Sequence, residues 1–135
     1  MAVQVKDVRQ GKTFYSVMGF VKEDGDNSAF VETVRVAGKP YWHKTVRSLF
    51  FQAYRGRSGN TASASLKDQN VVPNNYNLHR MFKTRKAAER YAARIRSGCL
   101  THAEQNKAQK IMRSKAEWYD PFAYYFYPDE EFDTP

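Results

Sequence analysis

The residues best equipped for chemistry in this chain are cations. Lys86, Arg90 and Arg94 recur every four residues. On a helix that spacing builds one ridge with charges about 6 Å apart, four residues at a rise of about 1.5 Å each. Lys83 extends the ridge, Arg80 precedes it, and Glu89 is the only carboxylate among them. A second set, Lys44, Arg47, Arg55 and Arg57, surrounds Phe51. An exposed ring among cations can stack on a base while the cations hold the backbone. Two plainer readings stand beside these. The ridge is a solvated helix face, or Phe51 packs against a second layer or another subunit.

Acid–base and metal chemistry have less to work with. His43, His79 and His102 are scattered and have no metal-ligand spacing. There is no Gly-rich phosphate loop. The carboxylates Asp7, Glu23, Asp24, Asp26, Glu32, Asp68, Glu89 and Glu104 fall mostly at expected turns and caps. The catalytic alternative is a site assembled by folding, with His43 or His79 beside Asp68. The expectation is a non-enzymatic protein without cofactor or metal. Cys99, the only cysteine, cannot form an internal disulfide and suits a reducing cytosol. It is expected as a small buried side chain near a helix end.

Charge divides the chain in two. Residues 117–135 contain no Lys or Arg and carry Glu117, Asp120, Asp129, Glu130, Glu131 and Asp133, a net −6. The first 116 residues hold all 22 Lys and Arg against the other 8 of the 14 carboxylates, a net +14, and the two parts sum to +8. The acidic end is also aromatic, with Trp118, Tyr119, Phe122, Tyr124, Tyr125, Phe126, Tyr127 and Phe132. A basic body points to nucleic acid or another polyanion. The tail has three readings. It screens the body until a ligand displaces it; it docks a partner through Asp129, Glu130, Glu131, Phe132 and Asp133; or its aromatics pack on the body.

The elements that must position these residues are legible to different degrees. Thr13–Lys22 and Phe30–Val36 are rich in β-branched and aromatic residues and flank the turn cluster Glu23–Ser28, which predicts a β-hairpin. Phe14, Tyr15, Met18 and Phe20 on the first strand could form a stacking platform on an open sheet, or one face could be core. Tyr41–Arg55 places Trp42, Val46, Leu49, Phe50 and Ala53 on one helical face before Gly56, so a helix is expected, with the paired Phe residues leaving a strand reading open. Residues 56–77 read as a flexible polar loop, followed by a short strand at Leu78–Phe82. Thr84 caps a helix over Arg85–Ser97, closed by Gly98, with Ala88, Tyr91, Ala92 and Ile95 inward. Thr101 and Glu104 form a capping box opening a second helix over His102–Tyr119, with Ala108, Ile111, Met112 and Tyr119 as its apolar stripe. No segment approaches the ~18 apolar residues of a membrane span, and the N-terminus has no signal-peptide pattern.

Three resemblances attach to particular stretches. Phe82–Tyr91 (FKTRKAAERY) resembles the strand-then-helix end of small sheet-plus-helix nucleic-acid modules, such as the hybrid-binding domain of ribonuclease H and the arm-binding domain of phage integrases. The tail Tyr127–Pro135 (YPDEEFDTP) is similar in kind to the acidic, Phe-containing tails of bacterial and phage single-stranded-DNA-binding proteins, although its Phe is not terminal. In composition and in its acidic-aromatic tail, the whole chain resembles small early or accessory proteins of tailed phages. That resemblance implies a cytoplasmic protein of the infected host.

These readings combine into one expectation. A small single α+β domain over residues 1–119 packs an N-terminal β-hairpin or antiparallel sheet against two to three helices, and residues 120–135 form the acidic tail. The expected function is non-catalytic binding of DNA or RNA through the phosphate backbone by the basic helix ridge. The tail would regulate that binding or recruit a host or replication protein, and exposed aromatics would allow a homodimer. The alternatives are a phage-type inhibitor or modulator of a host protein, and a small metal-dependent nuclease.

Overall fold

A computed structural model describes residues 2–57 and 59–118. After a single 3₁₀ turn at Val5–Asp7, the chain forms β1 (Thr13–Phe20), β2 (Ser28–Arg35), β3 (Tyr41–His43), β4 (Ser48–Tyr54), β5 (Thr61–Ser65), β6 (Arg80–Phe82), α1 (Arg85–Ser97) and α2 (His102–Trp118). The strands make two antiparallel three-stranded sheets, ordered β2-β1-β6 and β3-β4-β5. The α+β class is therefore correct, with a second sheet that the sequence reading did not separate out.

β1 is the centre of the molecule because both its faces are apolar. Its Val17 joins Val21, Ala29, Leu78, Ala88, Tyr91, Ala92, Ile95, Ala108 and Ile111 in the core beneath the helices, with Tyr15 packed against it. One residue out of phase, Phe14 joins Val3, Val8, Val36, Phe51, Leu66 and Met81 in a second core between the sheets. Alternating side chains of one strand thus serve two layers. The hairpin forms as its sequence predicts, with Phe20 opposite Ser28 and Thr13 opposite Arg35. Of the suggested platform residues Phe14 is core, only 3% exposed, Tyr15 and Met18 are half-buried, and Phe20 is exposed.

α1 and its caps also match expectation. The Thr84 hydroxyl accepts the Ala87 amide, and Gly98 adopts the left-handed conformation that closes the helix. Ala88, Tyr91, Ala92 and Ile95 are all buried. Gly19 lets α1 approach β1 this closely, because a Cβ there would stand 2.6 Å from Ile95 Cδ1. The capping box of α2 is present: the Thr101 amide donates to Glu104 Oε1 at 2.8 Å and the Glu104 amide to Thr101 Oγ1 at 3.2 Å. Ala108, Ile111 and Met112 carry α2 onto the helix-side core. Tyr119, the expected last residue of that stripe, lies outside the described residues.

The expected helix over Tyr41–Arg55 is instead β3, a turn and β4. Leu49, Phe51 and Ala53 alternate inward against the second core, while Trp42 and Val46 are 58% and 57% exposed. The cause is arithmetic. Four residues is close to one helical turn and also two strand periods, so Trp42, Val46 and Phe50, or Leu49 and Ala53, satisfy either pattern. Burial between two flanking strands favours the extended form for this β-branched and aromatic run. Arg47, at φ 59°, makes the reversal between β3 and β4.

The expected loop at 56–77 contains β5, in which Ala62 and Ala64 alternate with Thr61, Ser63 and Ser65 before the fully buried Leu66. The chain after it is fixed by asparagines. Asn70 donates to Asn77 Oδ1 at 2.9 Å and to the His79 carbonyl at 2.7 Å. Its Oδ1 accepts the Asn74 amide at 2.9 Å and Lys107 Nζ at 3.0 Å. Cys99 is exposed, contrary to expectation. It follows the left-handed Gly98, and its amide donates to the Arg94 carbonyl in the helix-closing turn, which carries the side chain outside the core. Among the described residues no helix is long and apolar enough to cross a membrane.

Candidate nucleic-acid interface

The proposed ridge on α1 divides when its partners are traced. Arg94 turns away from solvent to clasp Glu104 with both arms, at 2.9 and 3.0 Å, and lies over the Tyr91 ring. Burial alone would raise the Glu104 pKa, but hydrogen bonds from Arg94 and the Thr101 amide outweigh it and hold the carboxyl below its usual range. The hydrogen bond to Glu104 in turn raises the Arg94 pKa. Lys83 pairs with Asp7 at 3.4 Å. Arg80 stacks over Phe82 and Tyr91, at 5.1 and 5.7 Å from the ring centroids. Lys86 and Arg90 remain exposed on the outer face of α1.

The second set of expected cations, Lys44, Arg47, Arg55 and Arg57, belongs to a wider basic surface that also takes in Arg35, Lys39 and Lys67, which the sequence reading did not single out. Between Glu32 and Asp68 the chain contains no carboxylate, while Arg35, Lys39, Lys44, Arg47, Arg55, Arg57 and Lys67 are all cationic. This stretch contains the whole second sheet and its turns. The signal was in the sequence, but a helical reading of Tyr41–Arg55 divided it between a helix and a loop.

At one edge of this region an open groove of about 500 Å³ is lined by Thr33, Arg35, Tyr54, Gly56 and Arg57. Arg35 ends β2 and crosses to the second sheet, where its guanidinium donates to the Gly56 carbonyl at 2.7 Å and lies 5.2 Å from the Tyr54 ring centroid. Gly56, with φ 57°, forms the turn that aims this carbonyl at Arg35. Arg85, from the first turn of α1, donates to Thr33 Oγ1 at 3.0 Å and lies over Tyr15. Its nearest carboxylate, Glu89, is 3.9 Å away in an exposed pair, a geometry worth only about 0.3–0.5 kcal/mol. No described carboxylate forms an ion pair with Arg35 or Arg57. Arg55 is exposed in the same turn.

The outer face of the second sheet extends from this groove. Tyr41 and Phe50 face each other across β3 and β4, with ring centroids 6.4 Å apart, and His43 lies 5.0 Å from Phe50. Gln52 donates to Tyr41 Oη at 3.3 Å and Ser63 Oγ at 3.0 Å. The Tyr41 and Ser63 oxygens are 2.8 Å apart, completing a link across three strands. Tyr41, His43, Phe50 and Tyr54 are half-buried and belong to neither core. Lys44 and Arg47 stand exposed at the β3–β4 turn. Phe51, the proposed stacking residue, is 1% exposed and packs between the sheets. Its neighbour Phe50 occupies the outer face, because a strand turns adjacent residues to opposite sides.

Of the suggested His–Asp pairs, the fold brings Asp68 and His79 into one polar cluster, while His43 is in the other sheet. His79 Nδ1 accepts the Gly19 amide at 3.0 Å. Burial lowers the His79 pKa, and the nearby Asp68 charge opposes that shift. Asp68 accepts a hydrogen bond from the Tyr76 hydroxyl. Burial, together with Asp68, pushes the Tyr76 phenol up to about 12. No group of three or more His, Cys, Asp or Glu side chains suited to hold a metal ion occurs among the described residues. The tail residues Asp129, Glu130, Glu131, Phe132 and Asp133 lie outside the described residues.

Residues 2–95 match the model of a family described as Phage g100-like protein, a span containing both sheets and every groove residue. No curated protein and no solved structure gives a match.

Proposed function

The chain belongs to the Phage g100-like protein family, and from that premise we propose that this phage protein is a non-catalytic nucleic-acid-binding accessory protein. The supporting observation is the groove that Arg35 and Arg57, without carboxylate partners among the described residues, line together with Tyr54. Guanidinium groups suit phosphate oxygens because their planar forks donate two parallel hydrogen bonds. The acid-free stretch around the groove supplies a field that attracts a polyanion. The acidic tail competes for this surface or recruits a protein of the host or the replication machinery.

The test is binding of full-length protein to labelled DNA and RNA across a salt series. Four to six neutralised phosphates give a slope of log affinity against log salt of about −3 to −5. Absence of binding at low salt to any strand type refutes the reading. A second reading, partner capture, is favoured by Phe20 and Phe30, an edge-to-face pair exposed on the first sheet with Phe30 at 59%. Phe30→Ser would weaken such a partner complex and leave nucleic-acid affinity unchanged.

A further inference from the structure

The groove accounts for phosphates but not for the aromatic surface beside it. Tyr41, His43 and Phe50 form a contiguous ring cluster. On the same face of β4, Gln52 follows Phe50 and Tyr54 follows Gln52, ending at the Arg35 guanidinium. Phe50 and Tyr54 are four strand residues apart, roughly 13 Å, enough to separate two stacking positions by more than one nucleotide. The Gln52–Tyr41–Ser63 hydrogen bonds lie between them and tie the three strands together on this face. Cations stand at both ends, Lys44 and Arg47 at one turn and Arg57 at the other.

We propose that this face of the second sheet takes the unpaired bases of a single-stranded nucleic acid, stacked on Phe50, Tyr41 and Tyr54, while Arg35 and Arg57 hold the flanking phosphates. The proposal rests on the nucleic-acid reading and adds the strand type. Charge complementarity selects the occupant: a row of rings bounded by cations, with no carboxylate between Glu32 and Asp68, fits a chain that alternates aromatic bases with anionic phosphates. A duplex hides its base faces in its own stack and offers these rings nothing to stack on. Ring-on-base stacking tolerates any sequence, because every base has a π-face.

The experiment uses full-length protein and three probes of equal length: a single-stranded oligonucleotide, its abasic counterpart and a duplex. The single strand is expected to bind at least tenfold tighter than either other probe. Phe50→Ala is expected to weaken single-strand binding by about five- to thirtyfold, in the range for one stacked base, and to leave the abasic probe unchanged. Phe50→Leu, which keeps apolar volume, should show the same selective loss if the ring face is what matters. Equal affinity for the native and abasic strands overturns the stacking proposal, as does an unaffected Phe50 variant. The groove reading then survives if Arg35→Glu with Arg57→Glu still abolishes binding, and falls if that pair changes nothing. If Phe50→Ala instead dissolves a dimer seen by sedimentation without altering oligonucleotide binding, a second copy occupies the face and the proposal is overturned.

Discussion

On α1 most cations are answered within the protein. Arg94 is clasped by Glu104, Arg85 reaches Thr33 and Glu89, and Arg96 donates to the Ala29 carbonyl. In the stretch that holds the second sheet there is no carboxylate from Thr33 to Lys67, and the Arg35 guanidinium meets a carbonyl and a ring, with no carboxylate partner among the described residues. Regular spacing on α1 therefore does not by itself mark cations that lack partners in the fold. The Glu104 carboxylate offsets the charge of Arg94, whereas the carbonyls beside Arg96 and Arg35 satisfy hydrogen bonds and leave the charge uncompensated. The helix lies on one side of the first sheet and the second sheet on the other, with sheets packing about 10 Å apart.

The comparison can be tested most severely within β4. Phe51→Ala empties a site in the core between the sheets and is expected to cost about 3–5 kcal/mol of stability, read as a fall in the urea midpoint. Phe50→Ala, one residue along, is expected to shift that midpoint by far less and to act on binding. Equal destabilisation would mean that the outer face is also core.

Charge reversal in the groove comes next. Arg35→Glu with Arg57→Glu is expected to lower nucleic-acid affinity about 100-fold, or about 2.8 kcal/mol at 1.4 kcal/mol per tenfold. The circular dichroism spectrum should remain that of the parent.

The helix side is sharpened by Glu104→Gln, which removes the charge from the Arg94 clasp while keeping a residue type that can complete the capping box. A loss of about 1–3 kcal/mol is expected. The pH dependence follows from the sign of the shift. Glu104 has a folded pKa below its unfolded value, so its contribution is fully present above the unfolded carboxylate range. It is lost as pH falls through the folded value. Acid titration of stability should therefore be shallower in the variant than in the parent. The smallest effect belongs to Lys86→Glu with Arg90→Glu, expected to change affinity no more than about fivefold.

Local signals were legible and non-local ones were not. Thr84, Gly98, Thr101 and Glu104 mark helix ends through hydrogen bonds within a few residues, so their roles can be read from the chain directly. The hairpin declares itself through composition on either side of Glu23–Ser28. Tyr41–Arg55 failed because spacings of four do not separate helix from strand, and its outcome was decided by β5 and by the core that Phe51 enters. The Asn70 turn depends on Lys107, thirty-seven residues away. The Arg35 groove needs β2, β4 and a glycine turn brought together. Its trace in the sequence is an absence, thirty-five residues from Thr33 to Lys67 without a carboxylate, which periodicity does not register.

The most direct test of the central claim measures the salt dependence of single-strand binding for the full-length protein and the two charge-reversed pairs. The groove pair should lose about 100-fold in affinity and flatten the salt slope by at least about 1.4, two phosphate contacts at about 0.7 each. The α1 pair should keep nearly the parent affinity and slope. If the α1 pair abolishes binding while the groove pair retains it, the interface lies on the helix and the account given for the second sheet is wrong.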